Sequence, residues 1–245
     1  MTATNYNPWP LGRLPEHFQR VEPGLVRELG VDWDDPRDIN QEFESRLARH
    51  SGSRYAVLTD CCTNAISLCL NYSLQEGRLA PQDVLEIPTR TYVSVPMAIH
   101  QAGLRFRLRE YDWTGEYEIG QSGIYDSAAR FTKDSFGSSA LAKCLSFQIK
   151  KRLPIGRGGA ILTNSKQLYE WAKLAVYDGR DLKTKYDSAD HVKSLGWHYY
   201  MTPEDAARGI ILMAQLPEIN PDMMDHSHYP DLRNWAVVAS LEAGK

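Results

Sequence analysis

The feature that most constrains the fold of this chain is a repeated change between short apolar runs and stretches with helical spacing. Tyr55–Thr59 is a short apolar run, and residues 60–70 then place apolar side chains at helical intervals. The same succession returns in Val84–Pro88, residues 92–99 and residues 104–108. Alternating strands and helices of this kind build a parallel sheet with helices on both faces. We therefore predict an α/β fold with three layers, α/β/α, around a mainly parallel central sheet.

Segments on either side extend this pattern. Thr202 precedes Pro203 and two acidic residues, an arrangement typical of a helix N-terminus. Residues 177–194 are rich in Asp, Lys and Gly and have no period, so we predict a long surface loop there. The remaining predicted elements are helices over residues 39–50, 166–176 and 203–215, and strands over residues 123–125, 144–147 and 159–163.

Composition limits the classes of protein to which the chain can belong. Of its 245 residues, 42% are hydrophobic, which suffices for one sizeable core or two small ones. The 28 basic residues nearly balance the 31 acidic ones, which disfavours a nucleic-acid or membrane partner. The first ten residues are polar, and no stretch approaches the roughly 20 apolar residues that a bilayer span needs. The 4 cysteines lack disulfide or zinc-site spacing, so we expect reduced thiols and a cytoplasmic protein.

Three regions differ in character. Residues 1–35 contain several prolines among scattered apolar residues, which predicts an irregular N-terminal arm laid over another surface. Residues 36–217 hold the predicted α/β domain. Residues 218–245 form a short C-terminal segment with a last predicted helix, which starts at Asp231 and has an apolar face made by Leu232, Trp235, Val238 and Leu241.

Four chemical features follow predicted strands, at the sheet edge where open α/β folds place their sites. Thr63 lies in a strand-to-helix turn, where free backbone N–H groups and the helix dipole favour a phosphate. Tyr92 follows the next strand and could stack on a planar ligand. Asp126 ends a short apolar strand, and Lys151 precedes a glycine-dense turn at residues 156–159.

Each of these features taken alone has a simpler structural explanation. Thr63 can cap a core helix, and Asp126 can cap the turn that follows it. Tyr92 can pack in the core, and Lys151 can be an ordinary surface charge. Only their order along the chain favours a functional site.

In that order, the features resemble the sugar aminotransferases of the DegT family, which are fold type I, aspartate aminotransferase-like enzymes. The resemblance implies the large-domain fold of these pyridoxal phosphate (PLP)-dependent transferases, with pyridoxal 5'-phosphate as the cofactor. It covers most of residues 37–217. The segments that carry it are residues 39–50 with 55–57, the Thr63 turn, residues 88–98, residues 126–128, Ser146 and Phe147 with Lys151, residues 156–163 and residues 196–216.

The resemblance implies a role for each matching residue. Lys151 would form the Schiff base with PLP and later move the substrate proton. Asp126 would pair with the pyridine nitrogen and keep it protonated, which makes the ring an electron sink. Tyr92 would stack on the ring, and the phosphate would be held by the Cys62 backbone, Thr63 and Ser146.

These roles imply an aminotransferase. The amino group would pass from an amino acid, with glutamate as the expected donor, to a nucleotide-linked keto sugar. The family also implies a homodimer with a shared active site, in which His198 of one subunit lies near the PLP phosphate of the other. We expect small-molecule substrates, with no metal, nucleic acid or membrane as a partner.

The chain departs from the family pattern at individual positions. Cys62 stands where the family has glycine, and Ala129 stands where it has Gln or His. His198 and Tyr200 stand where the family has Asn and Arg. The contacts that these family residues make are therefore open in this chain.

Two larger parts of the family pattern are also missing. Few positions separate Tyr111 from Asp126, where the family has a further strand and helix. From the resemblance we also expect the family's small C-terminal domain to be largely missing after Leu216. We therefore expect an abbreviated member, whose substrate specificity cannot be taken from the family.

Two other functions fit the same sequence. A PLP-dependent sugar dehydratase has the same fold, but the relatives that eliminate hydroxyl groups carry His where this chain has Lys151. A shortened, non-catalytic homologue would instead act as a binding or assembly subunit. His226 and His228 are interpreted as loop residues rather than metal ligands, because no third spaced ligand accompanies them.

Overall fold

A computed structural model describes residues 21–137 and 139–242 of the chain. Seven α-helices and seven strands lie in these two stretches. The helices are α1 (Val21–Glu28), α2 (Arg37–Ser51), α3 (Cys62–Gln75), α4 (Ser94–Gln101), α5 (Lys166–Ala175), α6 (Pro203–Met213) and α7 (Ala236–Leu241). The strands are β1 (Tyr55–Thr59), β2 (Val84–Pro88), β3 (Arg105–Arg109), β4 (Tyr117–Glu118), β5 (Ile124–Asp126), β6 (Ala142–Ser146) and β7 (Gly159–Thr163).

Five strands form the main sheet, in the order β1-β7-β6-β5-β4, and β2 and β3 form a separate parallel pair. Within the main sheet, β5 and β6 run parallel, whereas β7 runs antiparallel to both β1 and β6. The predicted α/β class is confirmed, but the main sheet is mixed rather than mainly parallel. One reason is the return from β6 to β7 without a crossover helix, a connection typical of antiparallel strands.

The main sheet is covered by helices on both faces, because neighbouring strand residues point to opposite sides. In β1, Val57 packs in one hydrophobic core, whereas Ala56 and Leu58 pack in the other. Helices α3, α4 and α5 complete the first core, and α2 and α6 complete the second. This arrangement gives the three predicted layers.

Two predictions at the ends of the chain are corrected. Val21–Glu28 is helical, whereas an irregular arm is predicted there; residues 1–20 of the arm lie outside the described residues. The predicted helix from Asp231 is split, because Trp235 is extended (φ −102°, ψ 107°) between a 3-10 turn and α7. The domain boundaries at residues 35 and 217 stay predictions.

The structure of the region before α6 agrees with the prediction from the sequence. The Thr202 hydroxyl accepts a hydrogen bond from the Asp205 backbone N–H at 3.2 Å, as predicted for the N-cap of this helix. Residues 178–194 contain neither helix nor strand.

No helix in the described stretches is both long and apolar enough to cross a bilayer.

Candidate active site

A cavity of about 620 Å³ opens where β5 and β6 end and α3 begins. Its walls come from elements that are far apart in the sequence, which is typical of a site built at one edge of an α/β sheet. The cavity brings together six of the seven residues predicted to bind the cofactor. They are Cys62, Thr63, Tyr92, Asp126, Ser146 and Lys151.

The start of α3 forms one end of this cavity. Its N-cap residue, Cys61, is extended and makes no side-chain capping bond, and the first N–H groups of a helix have no acceptor within the helix. The Thr63 hydroxyl lies 2.7 Å from the Ser94 hydroxyl and lines the same wall. Backbone N–H groups, two hydroxyls and the helix dipole together favour an anionic group such as a phosphate.

The start of β7 lies directly against the beginning of α3. A Cβ atom on Gly159 would lie 2.5 Å from both the Cys61 carbonyl carbon and the Cys62 backbone nitrogen, so a side chain cannot be placed there. Gly159 also pairs with Ser146 in the sheet, which holds the end of β6 beside the same turn. Gly159 therefore permits this close approach, which places the start of β7 against the first turn of α3 at the cavity.

Asp126 is the last residue of β5, and its side chain lines the cavity although the residue is only 8% exposed. Its carboxylate accepts hydrogen bonds from the Ala128 backbone N–H at 3.0 Å and from the Tyr117 hydroxyl at 3.2 Å. Burial raises the pKa of Asp126, whereas the Ala128 N–H, the Lys151 charge and the Tyr117 hydroxyl lower it. Because this carboxylate also lines the cavity, it can accept a further hydrogen bond from a cationic group of a ligand.

The two adjacent lysines both line the cavity, but in different settings. Lys151 is half-buried, and its Nζ atom lies 3.8 Å from the Met224 sulfur, with no closer polar partner among the described residues. Lys150 is exposed, and its backbone N–H donates to the Gln148 side chain at 2.8 Å. Lys151 also lies near enough to Asp126 for its charge to act on that carboxylate.

Tyr92 follows β2 and is 59% exposed at the mouth of the cavity. The alternative explanation, a core tyrosine, therefore does not describe its position. An exposed aromatic ring on a cavity wall can stack on a planar ligand.

His198 does not line the cavity of its own chain. Its Nδ1 atom lies 2.9 Å from an Asp178 carboxylate oxygen, and its side chain is 66% exposed. Its ring packs edge-on against Tyr200 at a centroid distance of 4.8 Å. A role for His198 in a neighbouring subunit remains a prediction.

Three cavity residues, Met224, His228 and Tyr229, were not expected from the sequence. Tyr229 donates a hydrogen bond to the Met224 sulfur at 3.5 Å, and burial raises its pKa to about 12. These residues lie in an aperiodic segment rich in Pro, Asp and His, and nothing in its composition indicates a cavity wall. Among the described residues, no three His, Cys, Asp or Glu side chains cluster as a metal site.

Several solved structures have a similar fold. One is a GDP-4-keto-6-deoxymannose-3-dehydratase mutant with bound GDP-perosamine, with 16% identity and a TM-score of 0.63 over 82% of this chain and 67% of that one. The sugar aminotransferase CalS13 from Micromonospora echinospora matches with 16% identity and a TM-score of 0.61, over 80% and 64% of the two chains. An aminotransferase from Psychrobacter cryohalolentis matches with 18% identity and a TM-score of 0.60, over 86% and 64%. The chain thus spans about two thirds of the length of these proteins, and the likeness shows a shared fold.

A family profile gives the sequence-level match, whereas no curated protein matches the chain. The profile of the DegT/DnrJ/EryC1/StrS aminotransferase family covers residues 29–112 and 126–228. The unmatched stretch between them is the one where the family's further strand and helix are expected to be missing. The match confirms the predicted family and, with it, PLP as the cofactor. The chain belongs to the DegT/DnrJ/EryC1/StrS aminotransferase family.

Proposed function

We propose that the chain is a PLP-dependent aminotransferase that transfers an amino group from an amino acid, with glutamate as the expected donor, to a nucleotide-linked keto sugar. One observation carries this proposal: Lys151, Asp126 and the first turn of α3 line a single cavity. A reactive amine, a buried acid and an anion-binding helix end are the three groups that a PLP-dependent aminotransferase of this family would use to hold its cofactor.

The residues of the cavity fit the parts of PLP. The backbone N–H groups at the start of α3, with Thr63 and Ser146, would hold the phosphate. Asp126, whose carboxylate faces the cavity with room for another donor, would hold the protonated pyridine nitrogen. Tyr92 would stack on the ring, and the Lys151 amine would form the covalent link.

When bound, PLP supplies an electron sink that stabilises negative charge at the amino acid Cα. Asp126 contributes by keeping a negative charge beside the pyridine nitrogen. Lys151 is half-buried and has no acid among its hydrogen-bond partners in the described residues. Its amine, when free, would move the proton between the amino acid Cα and the cofactor carbon.

The choice of substrates is supported by the similar structures and by the cavity. Two of the similar structures are dehydratase complexes, one with bound GDP-perosamine and one with a trapped PLP–glutamate geminal diamine, so proteins of this fold bind a nucleotide sugar and glutamate. A third neighbour takes part in the biosynthesis of pseudoaminic acid. In this chain, the cavity of about 620 Å³ has two exposed basic residues in its wall, Lys150 and Arg157, of which Arg157 is paired with Asp60 at 2.8 Å. These charges would suit the phosphates of a nucleotide-linked sugar.

A PLP-dependent sugar dehydratase is the second candidate, because one similar structure is such an enzyme. The relatives that eliminate hydroxyl groups have His at the position of Lys151. An amine at this position favours transamination, since it can form the covalent link and move the Cα proton. Release of water from a keto sugar without net amino transfer would identify the dehydratase instead.

Covalent labelling tests the proposal at its centre. The protein incubated with PLP should develop a visible absorption band that borohydride bleaches, and peptide mapping should place the reduced label on Lys151. Lys150→Ala is the matched control, which should keep both band and label. A label on Lys150 would contradict the assignment, and the absence of any band would favour a non-catalytic binding subunit.

A donor screen tests the reaction itself. Amino acids added to the PLP-loaded protein should convert the cofactor to pyridoxamine phosphate, with glutamate among the active donors. Lys151→Ala should give no conversion. If no amino acid produces pyridoxamine phosphate although PLP is bound at Lys151, the aminotransferase proposal fails.

A further inference from the structure

The Tyr117 hydroxyl lies between two buried polar groups. It is 2.6 Å from the Thr91 hydroxyl and donates to the Asp126 carboxylate at 3.2 Å. Tyr117 is 5% exposed and Thr91 is 1% exposed, so water does not compete for either contact. The three side chains form a hydrogen-bonded chain that ends on the acid at the cavity.

The direction of these hydrogen bonds follows from the protons available. An ionised Asp126 can only accept, so the single Tyr117 proton points at the carboxylate. Thr91 must then donate its own proton to the Tyr117 oxygen. Burial raises the pKa of Tyr117 well above its usual value, so the phenol keeps its proton and stays a donor.

The position of Tyr117 in the chain is informative. It lies in β4, within the stretch between the two segments that match the family profile. Strand β4 runs antiparallel to β5, and Tyr117 stands directly opposite Asp126 in the register. The two-residue strand thus places one specific hydroxyl against the functional acid.

We propose that Tyr117 is a positioning residue that keeps the Asp126 carboxylate ionised and aimed into the cavity, with Thr91 orienting its hydroxyl. The inference rests on the proposed function, in which Asp126 holds the pyridine nitrogen. It gives a role to a segment outside the family match, because this segment supplies the donor.

The other groups near Asp126 also influence its pKa. Lys151 favours the ionised form, and the acidic Glu116 opposes it. Three further groups face Asp126 from neighbouring elements, and burial raises the pKa of each: Cys62, Cys144 and Tyr229. These three stay neutral near pH 7 and add no charge. Loss of the Tyr117 donor therefore raises the pKa of Asp126, and the neutral acid persists to higher pH.

The test compares Tyr117→Phe with wild type in PLP binding across pH. For each protein the readout is the ratio of the Kd for PLP at about pH 5.5 to the Kd at about pH 8. This ratio should be on the order of tenfold larger in Tyr117→Phe than in wild type, because the variant lacks one hydrogen bond to a charged group. Tyr125→Phe is the matched control, since its hydroxyl contacts Glu118 at 3.4 Å on the same hairpin. That control should follow wild type.

Thr91 provides a second pair of variants in case Tyr117→Phe does not fold. Thr91→Val removes the donor to Tyr117. It should also weaken PLP binding at low pH, but by a smaller factor than Tyr117→Phe. Thr91→Ser keeps the hydroxyl and should restore the wild-type profile. A purely structural role for Tyr117 would lower stability without moving this pH profile.

A measurement without PLP separates this inference from the proposed function. In the apoprotein with carboxyl-¹³C aspartate, the Asp126 resonance, identified by its loss in Asp126→Asn, should titrate at higher pH in Tyr117→Phe than in wild type. If wild type binds no PLP, the proposed function fails while this titration still tests the hydrogen bond. An unchanged Asp126 titration, or an equal shift in Tyr125→Phe, would overturn the inference.

Discussion

Asp126 is held between two opposing effects. Burial raises the pKa of Asp126, and three groups lower it in part: the Ala128 N–H, the Lys151 charge and the Tyr117 hydroxyl. A buried acid without such partners would take up a proton and become neutral. The three groups thus favour the ionised form of Asp126 at a buried position on the cavity wall.

Replacement of Asp126 by Asn tests the value of this charge. Asp126→Asn should retain part of its PLP binding but lose transamination by on the order of 10²–10³-fold, because a neutral amide does not stabilise the charged pyridine ring. PLP titration and single-turnover formation of pyridoxamine phosphate measure the two effects. Asp187→Asn, the same change at an exposed side chain in the loop before α6, should leave both unchanged. Near-normal turnover in Asp126→Asn would show that Asp126 only caps the turn that follows it.

At the scale of elements, the contact between β7 and α3 depends on the absence of a side chain at Gly159. Gly159→Ala should destabilise the fold by about 1–3 kcal/mol through overpacking and should also weaken PLP binding, because the added carbon displaces the first turn of α3. Gly209→Ala is a useful comparison, since its Cβ would meet the Phe43 ring between α6 and α2, away from the cavity. It should lower stability alone. Denaturant unfolding and PLP titration give both readouts, and equal PLP affinities in the two variants would contradict this explanation.

The elements differ in how far the sequence predicts them. The apolar runs predict β1, β2 and β7 at their observed bounds, because buried strands need continuous hydrophobic side chains. Strand β4 is too short to show a period. Residues 222–229 reach the cavity through contacts that are distant in sequence, such as the Arg130–Asp222 ion pair at 2.6 Å and the hydrogen bond from the Gly115 N–H to the Met224 carbonyl at 2.9 Å. Composition alone does not reveal such contacts.

The same distinction applies to the candidate site. Thr63, Asp126 and Lys151 are predictable because each follows a strand, and strand ends converge at one edge of a sheet. The Tyr117 hydroxyl is not predictable in this way, since its role depends on the register of β4 against β5. A one-residue slip in that register would turn the phenol to the other face of the sheet.

At the scale of the whole molecule, we expect the proposed site to be completed by a second copy of the chain. The first turn of α3 and Lys151 lie in one cavity, whereas His198 lies outside it and is exposed beside Asp178. The family resemblance assigns residues 196–202 to the contact between subunits. We therefore expect a homodimer, with His198 of one subunit donating to the PLP phosphate bound in the other.

Subunit mixing tests this shared site. Lys151→Ala and His198→Ala homodimers should each be impaired, yet after unfolding and refolding together a mixed dimer carries one site with both changes and one with neither. Random pairing of two-fold symmetric subunits should therefore restore about a quarter of the wild-type sites. His198→Asn, which keeps a hydrogen-bond donor, should be impaired less than His198→Ala. The same mixing with Lys151→Ala and Asp126→Asn subunits is the control and should restore nothing, because both residues line one cavity. A monomer that binds PLP fully, or a mixture of the first pair without recovery, would refute the shared site.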